Sequence, residues 1–131
     1  MNQPVLIKIN ETLSTFPEIK VAVLYGSFAN GTENPKSDID LALAASKKIP
    51  PEELVEIQTR LSNSTGREVD LIDLNTACGT VFKEALTKGS IILKRDPALY
   101  AQILSRMLFE QADFEPLRNR IFEDRRKRVL G

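Results

Sequence analysis

Histidine is absent from all 131 residues, and cysteine occurs once, at Cys78. The first absence excludes Ser-His-Asp triads, imidazole bases and His-bearing zinc sites. The second excludes an internal disulfide. Net charge is lacking too, since Lys plus Arg and Asp plus Glu number 18 each, so overall charge draws the chain neither to nucleic acid nor to an anionic membrane. No apolar run approaches the roughly 20 residues that span a bilayer, and no charged-then-apolar leader follows Met1. The expectation is a cytoplasmic protein. Acid-base or metal work must fall to carboxylates.

What is present suffices for one core: 42% of residues are apolar, in a chain the length of one compact domain. Val5, Leu6, Ile9, Leu13 and Phe16 recur at helical spacing ahead of Pro17, which predicts an amphipathic first helix. Lys20 to Tyr25 and Ile39 to Ala44 read as strands buried on both faces. Between them Ser27 to Asn30 suits one helical turn closed by Gly31, and Thr32 to Ser37 a loop. Pro50 and Pro51 followed by Glu52 and Glu53 open a helix with the stripe Leu54, Ile57 and Leu61. Glu68 to Leu74 is a third strand. Asn75 is placed to cap a helix from Thr76 to Thr87, which Lys88 and Gly89 end with a left-handed cap. A short strand, Ser90 to Leu93, comes next. Asp96-Pro97 starts a helix bearing Leu99, Ile103, Leu104, Met107 and Leu108, and Glu115-Pro116 starts another, with Leu117, Ile121 and Phe122 inward. Strands and helices alternate to about residue 95 and helix alone follows. The fold class is therefore α/β, a short sheet flanked by helices, with residues 1–95 as the core and 96–131 as a helical C-terminal segment.

The stretch VAVLYGSFANGTENPKSDIDLAL, residues 21–43, concentrates the chemistry. Gly26 and Ser27 leave the first strand, where backbone N–H groups and a hydroxyl can cradle a phosphate. Asp38 and Asp40 stand at i and i+2, so they point to one face and can share a divalent cation. Asp38 alone would serve a turn equally well. Asp40 interrupts a run that should be buried, where an unpaired carboxylate is costly. In the third strand Asp70 and Asp73 differ by an odd number of positions, so only one can face that side. Asp70 is the choice, because Asp73 lies at the strand's end beside Asn75 and suits a cap.

Three carboxylates about 5 Å apart repel by about 3 kcal/mol per pair at an effective dielectric of 20. A hard cation such as Mg²⁺ relieves this, and it favours one or two carboxylates plus phosphate oxygens. Asp38, Asp40 and Asp70 with a phosphate cradle fit in-line nucleotidyl transfer over two metal ions, with Asp70 also able to take the nucleophile's proton.

This arrangement, Gly-Ser, ten residues, Asp-x-Asp, then a later Val-Asp-Leu-Ile strand, resembles the nucleotidyltransferase superfamily of DNA polymerase β. The short chain, the GSFANG element, the VDLIDL strand and the trailing helices are similar to minimal nucleotidyltransferases, in particular MntA-type antitoxins that pair with HEPN-domain toxins. The resemblance covers about residues 19–95. It implies a polymerase-β-like core and transfer of AMP from ATP to a tyrosine of a HEPN ribonuclease, with neutralisation of that toxin. It also implies triphosphate binding by Gly26 and Ser27, two Mg²⁺ ions on Asp38, Asp40 and Asp70, and a hetero-oligomer with the toxin, without direct contact to nucleic acid. Many relatives carry arginine where this chain has Asn30.

Two other functions fit the same residues. One is nucleotidyl transfer to a small hydroxylated molecule of the aminoglycoside kind. The other is a non-catalytic antitoxin that masks its toxin by stoichiometric binding through the last helices. Tyr25, just before the Gly-Ser turn, belongs either to core packing or to the nucleotide pocket. The segment from Leu117 to Gly131 carries six basic residues against two acidic ones, which suits either a solvated helix face or contact with an acidic partner.

Overall fold

Apart from Lys20, the residues Ile19 to Tyr25 carry no charge, and they are buried on both faces. A strand of that kind belongs in a sheet's interior. In the computed structural model, which describes residues 3–26 and 38–112, this segment is β1 (Ile19–Tyr25). Its partners are β2 (Ile39–Ala45), β3 (Val69–Asp73) and β4 (Ser90–Lys94). The sheet order is β3-β2-β1-β4. β1 runs antiparallel to β2 and β4, whereas β2 and β3 are parallel, so the sheet is mixed.

The helices are α1 (Gln3–Leu13), α2 (Pro51–Thr65), α3 (Gly79–Lys88) and α4 (Pro97–Ala112). On one face of the sheet Ala22, Leu24, Ile39, Leu41 and Leu43 pack with Val5, Ile9 and Leu13 of α1 and Ile57 and Leu61 of α2. The other face, with Val21, Val23, Tyr25, Ala42 and Ala44, takes Phe82, Ala85 and Leu86 of α3 and Ile103 and Met107 of α4. The result is a three-layer sandwich. Arg95, just past β4, ties the second edge to the start of β1 by donating to the carbonyls of Phe16 (3.1 Å) and Ile19 (2.9 Å).

Several expectations change in detail. Asn75 does not cap a helix at Thr76: its side-chain amide donates to the Ala45 carbonyl at 2.7 Å, and the Asp73 carbonyl accepts from the backbones of Thr76 (3.1 Å) and Ala77 (2.9 Å). These bonds hold 73–77 as a turn, which delays α3 to Gly79. Gly89 is not left-handed, with φ −79°. It is there because a Cβ would strike the Ala85 carbonyl and stand 2.5 Å from Val23 Cγ1, so α3 can end this close to β1 only through glycine. Of the apolar residues of α4, Ile103 and Met107 are buried, whereas Leu108 is 54% exposed. The turn at Ser27 to Asn30, its cap Gly31, the loop to Ser37, the helix from Glu115 and the basic run lie outside the described residues.

Candidate active site

Strand direction brings the predicted acids to one end of the sheet. β1 finishes at Tyr25 where the antiparallel β2 begins, and β3 starts beside β2 because the two are parallel. In register, Asp40 lies opposite Tyr25 on one side and opposite Asp70 on the other. Residues paired in this way project to the same face, here the one that α3 and α4 cover farther along. Asp40 is half-buried, whereas Asp38 and Asp70 are exposed.

This setting shapes the electrostatics. The Asp40 carboxyl is raised above the ordinary range first by burial, then by the negative charges of Asp70, Asp38 and Glu84. Tyr25, 7% exposed, has its hydroxyl pushed up to about 12 by burial and by Asp40, Asp70 and Glu84. It therefore remains a protonated donor at any ordinary pH. Tyr25 packs in the core, one of the two alternatives raised for it, and stands opposite Asp40 in the register.

Gly26 completes the rim. It has φ +76°, a conformation that side chains oppose. A Cβ there would collide with Asp40 Oδ2 and lie 3.3 Å from its Cγ, so the Asp40 carboxylate rests against bare backbone. Ser27 lies outside the described residues.

Asp73 behaves as the parity of β3 requires. It pairs with Leu43 on the opposite face, is 6% exposed, and accepts from the backbone N–H groups of Ile49 (2.8 Å) and Asn75 (2.9 Å). Its task is to hold the loop after β2 and the turn after β3. Glu84 of α3 was not foreseen. Its charge reaches Asp40 and Tyr25 from the helix layer, a placement that depends on how α3 packs and has no signal in a strand motif.

Among the described residues no group of three acidic side chains is placed to enclose a metal ion by itself. The donor chemistry still suits Mg²⁺, which takes one or two carboxylates and fills its shell with phosphate oxygens and water. Asp40 and Asp70 sit on neighbouring strands with their like charges unrelieved. No helix among the described residues is long and apolar enough to cross a membrane.

Comparison with known proteins agrees with this geometry. Residues 7–98 match the family described as polymerase beta, nucleotidyltransferase. A curated relative, the protein adenylyltransferase MntA of Shewanella oneidensis, is 27% identical over 103 residues, covering 77% of this chain and 73% of the relative. A chain from the crystal structure of a toxin-antitoxin with AMP-PNP superposes with a TM-score of 0.70 at 26% identity, covering 91% of this chain and 96% of that one. A chain from the complex of tri-AMPylated Shewanella oneidensis HEPN toxin with MNT antitoxin gives 0.67 at 25% identity, covering 95% and 98%.

Proposed function

The chain belongs to the polymerase beta nucleotidyltransferase family, and we propose that it is an antitoxin acting as a protein adenylyltransferase, moving AMP from ATP onto a tyrosine of a HEPN-domain toxin. The observation that carries this reading is the in-register pairing of Asp40 with Asp70, beside a glycine whose missing side chain makes room for the Asp40 carboxylate. The named activity of the Shewanella relative and the AMPylated toxin in the similar complex support the substrate and the partner. Such a chain works in the cytoplasm, where ATP is supplied, as a hetero-oligomer with its toxin.

In the proposed mechanism Asp38 and Asp40 would hold Mg²⁺ with the triphosphate, and Asp70 would be the ligand on the acceptor's side. Bound Mg²⁺, as two ions, supplies neutralisation of the charge that builds on the attacking and leaving oxygens. Gly26 and Ser27 orient the outer phosphates through backbone N–H groups and a hydroxyl. The acceptor's tyrosine oxygen attacks the α-phosphorus, the α–β phosphoanhydride bond breaks, and pyrophosphate leaves with the bonding pair. Asp70 takes the phenolic proton, which is work for a carboxylate in a chain without histidine. A tyrosine so esterified gains bulk and a negative charge, either of which obstructs an RNA site.

The test is incubation with α-labelled ATP, Mg²⁺ and the product of the neighbouring gene, assayed as the candidate toxin. Label on a toxin tyrosine is expected, with Asp38→Ala/Asp40→Ala reducing it at least about 100-fold, the scale of losing fixed charge stabilisation. Absence of label with folded wild-type protein refutes the reading. A second reading, masking by binding alone, draws on Leu108 and Phe109 of α4, which are 54% and 63% exposed. Full protection of cells by the folded double variant would select it.

A further inference from the structure

The acid on the acceptor's side stands on an edge strand: in the order β3-β2-β1-β4, no strand among the described residues lies outside β3. The Glu68 carbonyl accepts from the backbone N–H of Ile39 at 2.9 Å, and the Leu74 N–H donates to the Leu43 carbonyl at 2.7 Å. Both bonds join even positions of the β3 segment to β2, and every second residue of a strand faces the same neighbour. Asp70 therefore turns its own backbone groups toward β2, while Val69, Leu71 and Asp73 turn theirs to the outer edge. That edge is fastened near both ends. The Asp73 carbonyl accepts from the backbones of Thr76 (3.1 Å) and Ala77 (2.9 Å). The Val69 carbonyl accepts from the side-chain amide of Gln58 in α2, 2.7 Å away. Gln58 is half-buried, next to the core residue Ile57. The Val69 carbonyl and the Asp70 N–H belong to one planar peptide and point to opposite sides of the strand. The β2 ladder holds that peptide from inside, and Gln58 holds it from outside. Tilting the plane would swing the Asp70 Cα–Cβ bond, so a bond from the opposite helix layer acts on Asp70 through the backbone.

We propose that Gln58 is a positioning residue for Asp70, clamping the 69–70 peptide of the edge strand so that the Asp70 carboxylate keeps its aim beside Asp40. The inference rests on the nucleotidyl-transfer reading, in which Asp70 serves the acceptor's side and takes its proton. Gln58 thereby governs the chemical step, and nucleotide binding, which falls to Gly26, Ser27, Asp38 and Asp40, is independent of it.

The test compares two variants of the full chain: Gln58→Met, of similar length without a donor, and Gln58→Lys, which keeps N–H donors. All three residues suit a helix. In the ligand-free protein, hydrogen exchange followed by NMR should be about 5- to 10-fold faster at the Asp70 amide of Gln58→Met, the effect of one neutral hydrogen bond. The Leu74 amide, at the other end of the ladder, should exchange as in wild type. In AMP transfer to the candidate toxin, Gln58→Met should lose about 10- to 100-fold in kcat, the scale of a reacting group misplaced by up to about 1 Å. Its KM for ATP should not move. Gln58→Lys should recover most of both losses. Equal acceleration at Asp70 and Leu74 shows a general loosening of the fold and overturns the inference. So does a Gln58→Met protein with kcat within twofold of wild type, and so does a Gln58→Lys protein no better than Gln58→Met. Failure of the underlying reading shows separately, in wild-type protein that transfers no AMP.

Discussion

Replacing Gly26 by alanine should couple backbone strain to the chemistry through one added carbon. Gly26 has φ +76°, and holding a side chain in the left-handed region costs about 1–2 kcal/mol. The added Cβ would overlap Asp40 Oδ2 and stand 3.3 Å from Cγ and 3.4 Å from Cβ of Asp40. The carboxylate must therefore swing aside, and an off-rotamer position costs about 0.5–1.5 kcal/mol more. The total, about 2–3 kcal/mol, is smaller than the stability of an ordinary domain. The variant should fold with Tm lowered by about 10 °C.

The cause can be isolated in a double-mutant cycle. With Asp40→Ala in place the collision is gone, so Gly26→Ala should then cost only the backbone part, leaving a coupling of about 1 kcal/mol. Urea denaturation of the four proteins measures it. For activity, an acid displaced by about 1 Å from a position that must hold Mg²⁺ predicts a loss near 100-fold in AMP transfer. Equal stability losses in both backgrounds, or transfer within twofold of wild type in Gly26→Ala, would refute the reasoning.

The two acids of β3 should separate cleanly. Asp73→Ala removes a buried acceptor from the N–H groups of Ile49 and Asn75 and should destabilise by about 3–5 kcal/mol, read from the urea midpoint, whereas Asp70→Asn, at an exposed position, should leave that midpoint in place and abolish transfer. Arg106→Ala should cost about 2 kcal/mol in the same assay, because the guanidinium donates to the carbonyls of Leu74 and Ala77 and stacks 4.1 Å from the centre of the Phe82 ring, contacts worth that much at a partly exposed site. Far from the rim, Glu53 is raised to about 7 by its hydrogen bond with Glu18, then by burial and by the charges of Glu18, Glu56 and Glu52, while Glu18 is lowered by that same bond and by Arg95 and Lys20. The folded protein thus keeps a proton on Glu53 that the unfolded chain releases near the ordinary value of 4.5, so the Glu53 contribution is full below that value and is lost as pH rises toward about 7, whereas that of Glu18, whose carboxyl is lowered, is present above 4.5 and is lost as pH falls below it. Glu53→Gln should flatten the slope between those values and be the more stable protein at pH 8, by urea denaturation at each pH.

Strand chemistry was legible because it follows local rules. Apolar runs gave β1, β2 and β3, and period two set Asp40 and Asp70 on one face and Asp73 on the other, as the register shows. The α2 start was legible because Pro51 and the acids Glu52 and Glu53 mark a first turn. What stayed hidden depends on distant partners. Asn75 has the right chemistry for a cap, but the carbonyl of Ala45, thirty residues earlier, takes its amide. Gly89 reads as a left-handed stop, but its smallness is used against Val23 of β1. Glu84 reaches the acids only through the docking of α3 on the sheet, which no spacing within the helix discloses.

The division between chemistry and architecture in β3 follows from one odd number. Val69, paired with Ile39, and Leu71, paired with Leu41, face the core of α1 and α2, and that pairing fixes the register. Given that register, Asp70 must emerge on the other face, at the open end beside Asp40. Asp73, three residues on, must enter the first face near Ile49, where two backbone N–H groups compensate its burial. A slip of β3 by one residue would reverse every orientation. It would place Asp70 against the core without a donor and take Asp73 from both of its own, two penalties of several kcal/mol on top of exposing Val69 and Leu71. The apolar residues that stabilise the strand and the acid that stiffens its far end therefore enforce the same register, the only one in which Asp70 meets Asp40. In this sheet, the register that brings the candidate active-site acid to Asp40 requires no device beyond those that hold the fold.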